Sequence, residues 1–141
     1  MDIANYKGPI IVTVSYSLLY YVFLLNIMRT KMSLHKKYRA NGQNFDRYFG
    51  QDRTMLAADR IQLNMLEQMP LFLILLWLQS IFVSSQQATI LGGIYTISRA
   101  IYPFLAGNRM GNDIKAKILG STLVGYLIIF IFMFNLINAL I

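Results

Sequence analysis

The stretch "DRIQLNMLEQMPLFLILLWL", Asp59 to Leu78, decides the fold of this chain. It leads into an apolar run that continues to Val83 and can cross a membrane as a helix, which takes about 20 mostly apolar residues. Because charged and amide groups are costly to bury in lipid, the polar side chains before that run need a separate explanation. They are Arg60, Gln62, Asn64 and Glu67.

Three further segments have a similar length and apolar composition, so the sequence predicts four membrane spans. The predicted spans are 9–28, 65–83, 88–107 and 118–141. The uncharged connection "SSQQ" between the second and third spans is short, which indicates a tight antiparallel hairpin. Since no repeat, low-complexity tract or linker interrupts the chain, we expect a single domain over residues 1–141. The predicted fold class is an all-α membrane protein, a four-transmembrane-helix bundle.

The amino-acid composition narrows the possible chemistry. Hydrophobic residues make up 56% of the chain and charged residues 13%, against about 25% charged in soluble domains. With no cysteine the chain can form neither a disulfide nor a thiolate metal site, and a single histidine, His35, excludes a His-rich metal cluster. Catalysis must therefore use Arg, Lys, Tyr, Ser, Asn or Glu, or a thiol that belongs to a substrate, and we expect no metal.

The net charge of +7 is explained by membrane topology and not by nucleic-acid binding. Eleven of the thirteen Lys and Arg residues lie in the connections after the first and third spans, which are on the same side of a four-span bundle. By the positive-inside rule both connections face the cytoplasm and both termini face away from it. We expect the basic residues also to attract lipid phosphates. We expect the membrane to be either a bacterial inner membrane or the endoplasmic reticulum.

The first basic connection contains the aromatic stretch "QNFDRYFGQDR". This composition is typical of a loop or a short surface helix at a membrane interface. We expect Phe45, Tyr48 and Phe49 to contact lipid headgroups.

The charges at the spans form two polar stripes. Residues three or four apart share a helix face, so Arg60, Asn64 and Glu67 form one stripe in the second span. Tyr95, Arg99 and Tyr102 form another in the third span. One interpretation is that Arg60 and Glu67 only lie near the membrane interface, extend their charged ends toward water, or pair with each other or with Arg99. Two arginines, a carboxylate, two amides and two tyrosines exceed the needs of one ion pair, which favours a ligand that carries both carboxylates and an amine.

The sequence at these stripes resembles the MAPEG family, the membrane-associated proteins in eicosanoid and glutathione metabolism. The segment "RIQLNMLEQMPLFLILLW" is similar to a family pattern of Arg-Ala-x-x-Asn-x-x-Glu followed by an aromatic residue and proline. The segment "IYTISRAIYPF" is similar to a pattern of Tyr-x-x-x-Arg-x-x-Tyr or His. The resemblance implies a homotrimer of four-helix bundles with glutathione bound between neighbouring subunits, open to the cytoplasmic side.

Carried over by position, the resemblance implies roles for individual residues. Glu67 would bind the glutamyl ammonium of glutathione, Arg60 a carboxylate, and Asn64 and Tyr102 other parts of the tripeptide. The neighbouring subunit would contribute Gln62 and a base at the end of the first span. The candidates for that base are Arg29 and Lys31, and Arg99 matches a family arginine of the third span.

The sequence also departs from the family pattern. Gln68 and Ala106 replace tyrosines, and Ile61 replaces the alanine after the motif arginine. The family enzymes use an arginine near the start of the fourth span to stabilise the glutathione thiolate, and here the corresponding residue is Asp113. The bases that could take over this role are Arg109, Lys115 and Lys117, of which we favour Arg109 and then Lys115.

The resulting hypothesis is a membrane-bound glutathione transferase, or a glutathione peroxidase, that joins the glutathione thiolate to a lipophilic small molecule entering from the bilayer. A free thiol has a pKa of about 8.5, and lowering it by about two units takes about 2.7 kcal/mol, which a desolvated guanidinium can supply. Two alternatives remain: a non-catalytic protein that binds a lipid or a partner, and a structural subunit of a larger membrane assembly.

Overall fold

Four long helices form the whole fold in a computed structural model that describes residues 3–107 and 116–141. A short 3-10 helix, Ile3–Tyr6, leads into the first of them. The helices are α1 (Lys7–Ala40), α2 (Arg53–Phe82), α3 (Ser85–Ala106) and α4 (Ala116–Asn138). No strand occurs in these two described ranges, and the predicted all-α fold class is confirmed.

Three of the helical segments are long and apolar enough to cross a membrane: Ile3–Ala40, Arg53–Phe82 and Ile118–Asn138. The helix at the predicted third span, α3, is not among them, because Thr96, Ser98 and Arg99 interrupt its apolar run. It packs against α1, α2 and α4. A helix covered by protein on several sides can carry polar groups that a lipid-facing helix cannot.

The first two helices extend well beyond their apolar runs. The first ends at Ala40, twelve residues beyond the predicted span, which is about 18 Å at about 1.5 Å per residue. The second begins at Arg53, twelve residues before Met65. The long basic connection is therefore mostly two helix extensions around the loop 41–52, because Lys, Arg and Met favour helix and nothing requires a helix to end at the bilayer surface.

The loop 41–52 is held in one conformation by charged and capping contacts. The carboxylate of Asp52 caps α2 by accepting from the backbone of Thr54 (2.8 Å) and Met55 (3.1 Å), and it accepts from the Tyr38 hydroxyl at 3.0 Å. Partial burial acts to raise the pKa of Asp52, but the hydrogen bonds from the first turn of α2 and from Tyr38 outweigh it, so the pKa is lowered. These contacts tie the end of the loop to α1 and to the first turn of α2.

An ion pair and a side-chain turn complete the loop. The guanidinium of Arg47 donates to both carboxylate oxygens of Asp59, at 3.0 and 2.8 Å. The backbone amides of Phe49 and Tyr48 donate to Asp46 and lower the pKa of its carboxyl group. The loop is thus tied to α2 at a second point.

A small hydrophobic cluster stabilises the projecting ends of α1 and α2. Leu34, Met55 and Ala58 are its buried members, and Phe45 packs against it with its ring 5.5 Å from that of Tyr38. Phe45 is half-buried in this cluster, and its expected contact with lipid headgroups stays a prediction. Tyr48 and Phe49 follow it in the loop and are exposed, and their expected contact with lipid headgroups also stays a prediction.

The main core is a stack of aromatic rings where α1, α2 and α3 meet. Phe72 stacks on Tyr95 with ring centroids 3.9 Å apart, and Tyr16 lies 4.9 Å from Phe72. The hydroxyl of Tyr16 donates to the backbone carbonyl of Met65 at 3.2 Å. The close packing includes Gly92, where an added Cβ would meet side-chain atoms of the two neighbouring helices. This core sets the register of α3 against α2 and so determines which polar side chains meet.

Candidate functional site

Arg60 and Glu67 lie on a face of α2 that the other helices of the chain leave open. Their side chains are 52% and 56% exposed, and the guanidinium Nη1 is 3.7 Å from the carboxylate Oε1. A strong charge-assisted hydrogen bond between such groups spans about 2.7–2.9 Å. The pair is therefore loose, and both charges remain accessible from outside the chain.

The third member of this stripe, Asn64, is anchored by an arginine from α3. Arg99 donates from Nη1 to Asn64 Oδ1 at 2.9 Å and from Nη2 to the backbone carbonyl of Ser121 in α4 at 2.7 Å. Its guanidinium also lies over the Tyr95 ring, 5.3 Å from the centroid. A single side chain thus joins three helices.

Arg99 is 1% exposed, and within the described residues it forms no ion pair with a carboxylate. The interpretation that Arg99 pairs with Glu67 is therefore wrong. Burying a cation without a counter-ion is costly unless each of its donors finds an acceptor. Here an amide oxygen, a backbone carbonyl and an aromatic ring perform that function.

The contact with Arg99 fixes the polarity of Asn64. A guanidinium has donors only, so the Asn64 amide must present its oxygen to Arg99. Its NH₂ group then remains for other partners, and within the described residues it has none. Next to Arg60 and Glu67, Asn64 offers donors that suit a carbonyl or carboxylate oxygen.

Small residues around Arg99 make room for its guanidinium. A Cβ added at Gly125 in α4 would collide with it. The Ser121 hydroxyl donates to the backbone carbonyl of Ser98 at 2.7 Å, which brings α4 against α3 at the level of Arg99. Ser121 and Gly125 were not predicted from the sequence. Ser121 binds Arg99 through its backbone carbonyl and Gly125 contributes only the absence of a side chain, so the residue types do not reveal either role.

The two glutamines of the motif segment are held inside the chain. Gln62 is buried and donates to the Tyr20 hydroxyl of α1 at 2.9 Å. Gln68, at a position where the resembling enzymes often have tyrosine, accepts from the Tyr95 hydroxyl at 3.0 Å. Gln62 faces away from the Arg60 stripe, as the helical periodicity predicts, but its amide nitrogen is used within its own chain.

The other predicted site residues are in different environments. Tyr102 is buried in the main core near Arg99, whereas Arg29 and Lys31 are exposed on α1. The favoured catalytic bases Arg109 and Lys115 lie outside the described residues, as do Asp113 and the side chain of Lys117. The structure therefore brings together Arg60, Asn64, Glu67 and Arg99, and the identity of the thiol-activating base stays a prediction.

A comparison with protein families gives a match over most of the chain. A sequence model of the MAPEG family matches residues 9–138, nearly the whole chain. The chain belongs to the MAPEG family. No curated protein matches the chain individually.

Membership of the MAPEG family and the three apolar helices together identify an integral membrane protein. They also support a role of the glutathione-transferase or eicosanoid type at the level of the family. Within this MAPEG chain the motif residues divide into two groups. Arg60 and Glu67 face outward, and Arg99 holds Asn64 from behind.

Proposed function

We propose that this MAPEG protein is a membrane glutathione transferase that joins the glutathione thiolate to a lipophilic electrophile. The observation that carries the proposal is the loose, half-exposed pair of Arg60 and Glu67 beside the anchored amide of Asn64. An exposed ion pair contributes only about 0–1 kcal/mol, so a ligand can separate it at little cost. The released charges match a zwitterion.

Glutathione supplies the complementary groups. Its glutamyl ammonium would bind the carboxylate of Glu67, and one of its two carboxylates would bind the guanidinium of Arg60. The NH₂ group of Asn64 would donate to a carbonyl or carboxylate oxygen of the tripeptide, because Arg99 already occupies the amide oxygen. Tyr102 is buried in the main core, three residues after Arg99 in the third helix, and would contribute its ring or hydroxyl from there.

A second copy of the chain would complete the cleft, and we propose a homotrimer. The face that carries Arg60 and Glu67 also exposes Leu63, Leu71 and Ile74. Because charges on a lipid-facing surface are costly, covering this face with protein is favourable. The neighbouring copy would add Arg29 or Lys31, and its Gln62 would contribute the amide oxygen or the second amide hydrogen, because the first is donated to Tyr20.

The proposed reaction needs a base or cation near the glutathione sulfur. The thiol loses its proton, the sulfur forms a bond to an electrophilic carbon, and the displaced electron pair leaves with the leaving group or moves to oxygen. We assign stabilisation of the thiolate to Arg109, with Lys115 as the second candidate, because a guanidinium has better donor geometry toward sulfur. Reduction of a lipid hydroperoxide would begin from the same thiolate.

Calorimetric titration of glutathione into the full chain in detergent tests the binding site. We expect the wild-type protein to bind and Glu67→Gln to bind about tenfold more weakly, because the ammonium loses its counter-charge. Asp46→Asn makes the same chemical change on the loop and should bind like the wild type. Equal affinities for all three proteins would contradict the site.

Thiolate formation tests the chemistry separately. The ultraviolet absorbance of bound thiolate should fall in Arg109→Ala while glutathione still binds, because that side chain is assigned to the sulfur alone. Full conjugation rates in both Arg109→Ala and Lys115→Ala would reject these two bases.

A second candidate function is non-catalytic binding of a lipid or a partner. The observation in its favour is Asp113, which lies where related enzymes have the thiolate-stabilising arginine. Glutathione binding without any thiolate absorbance or conjugation would support this alternative. If glutathione does not bind at all, the protein is either such a non-catalytic binding protein or a structural subunit of a membrane assembly.

A further inference from the structure

A polar groove runs between α1 and α2 at the point where both helices leave their apolar runs. It consists of two adjoining cavities of about 250 and about 260 Å³, which share Thr30 of α1 and Thr54 of α2. The other lining residues are Asn26, Arg29, Ser33, Leu34, Ala57, Ala58 and Ile61. No acidic side chain lines either cavity.

The hydroxyl groups of this groove differ from those at three other positions in the helices. Thr13, Ser17 and Thr89 each donate to the backbone carbonyl four residues earlier, at 2.9, 2.8 and 2.7 Å. The hydroxyls of Thr30 and Ser33 make no such bond, and neither has any hydrogen-bond partner among the described residues. The side chains of Asn26 and Thr54 are likewise without a partner there. The groove therefore holds a set of unused polar groups.

The position of the groove suggests where its ligand comes from. Arg29 directly follows Met28, the last residue of the apolar run of α1, so it lies at the level of lipid headgroups in an upright helix. It is exposed and forms no ion pair with a described residue. Toward the apolar runs, Ala57, Ala58 and Ile61 line the groove with apolar side chains.

We propose that this groove binds the phosphate headgroup of an anionic membrane lipid. The guanidinium of Arg29 and the hydroxyls of Thr30 and Ser33 are the donors that a phosphate group accepts, and the apolar residues below them suit the start of the lipid's acyl region. The groove shares Arg29 with the proposed glutathione cleft of a neighbouring copy, but its hydroxyl groups belong to the groove alone. Its α2 wall is buried, whereas Arg60 and Glu67 lie on an exposed side of that helix.

Native mass spectrometry of the full chain, released from detergent with added lipid, tests this site. Phosphatidylglycerol should bind about tenfold more tightly than phosphatidylcholine, because its headgroup carries the net negative charge that Arg29 attracts. The double variant Thr30→Val with Ser33→Ala should lose about fivefold or more of the phosphatidylglycerol affinity. Thr54→Val, on the opposite wall, should weaken it in the same direction.

The matched control is Thr13→Val with Ser17→Ala, which makes the same two changes on the same helix. Because those hydroxyls already bond to backbone carbonyls, this control should bind phosphatidylglycerol like the wild type. Equal binding of the two lipids, or equal losses in the double variant and its control, would overturn the site. Displacement of the lipid by inorganic phosphate at millimolar concentration would also overturn it, because the groove would then recognise a free anion.

Discussion

The outer face of α2 and the seam between α2, α3 and α4 each contain an arginine, and the two differ in almost every respect. Arg60 is half-exposed and lies 3.7 Å from a carboxylate that is equally exposed. Arg99 is 1% exposed and satisfies its donors with an amide oxygen, a carbonyl and a tyrosine ring. The comparison separates two uses of a cation in a membrane bundle.

The buried cation is suited to hold the fold, and the exposed one is suited to bind. The Nη1 and Nη2 hydrogen bonds of Arg99 reach α2 and α4, so moving the guanidinium would disturb the whole seam. Arg60 makes one loose contact within its own helix and can leave it at a cost of about 1 kcal/mol or less. Asn64 connects the two regions, because Arg99 fixes its oxygen while its NH₂ group stays available.

The largest effect should come from Arg99→Ala. The change leaves Asn64 Oδ1 without its donor, removes the bond from α3 to the Ser121 carbonyl of α4 and opens a cavity, so we expect the free energy of unfolding to fall by about 3 kcal/mol or more. Denaturation in detergent micelles, followed by circular dichroism, measures this. The exposed Arg39→Ala should change stability by less than about 0.5 kcal/mol. Similar small losses for both variants would remove the distinction between a structural and a binding arginine.

A smaller effect should come from filling the space beside Arg99. Gly125→Ala places a methyl group against the guanidinium and should destabilise the bundle by about 1–3 kcal/mol. Gly120→Ala is the control in the same helix, since a Cβ there has no neighbour within 4 Å, and it should be neutral or slightly stabilising. The same denaturation measurement compares them. If Gly125→Ala and Gly120→Ala have the same free energy of unfolding, the seam tolerates a shift of Arg99.

Arg60→Gln should have the opposite profile to Arg99→Ala. We expect its free energy of unfolding to stay within about 1 kcal/mol of the wild type, because the lost pair is exposed. Its affinity for glutathione should fall about tenfold, because a carboxylate of the tripeptide loses its counter-charge. Unfolding and calorimetric titration of one preparation give both values. A large stability loss with unchanged affinity would reverse the proposed roles.

The smallest effect should appear in the loop, as a function of pH. Because the pKa of Asp52 is lowered in the folded protein, its stabilising contribution is complete above the ordinary aspartate pKa of about 3.9 and is lost as pH falls through the lowered value. Asp52→Asn keeps a capping side chain but cannot titrate. The stability difference between wild type and variant should be below about 1 kcal/mol, constant above pH 4, and should shrink below that pH. A difference that does not change with pH would contradict this account of the cap.

Much of the bundle and part of the site could be predicted from local patterns. The apolar runs indicated membrane helices, and the spacing of Arg60 and Glu67 indicated a common face, which their 3.7 Å contact confirms. The extension of α1 to Ala40 and the start of α2 at Arg53 were not predicted. Hydropathy indicates only the part of a helix that lies in the membrane, and a helix can continue beyond that part. The packing of Phe45 on Tyr38 was also missed, because Tyr38 lies on the extension of α1 that hydropathy did not predict.

The sequence by itself determined the helical membrane fold and the polar face of α2, because hydrophobicity and the helical repeat are properties of neighbouring residues. Only the tertiary structure decided that Arg99 binds Asn64 and not Glu67, and that Gln62 reaches Tyr20. Which residue a side chain meets across a helix seam depends on the register and crossing of the packed helices. Those are set by the whole aromatic core together, and no single segment carries that information.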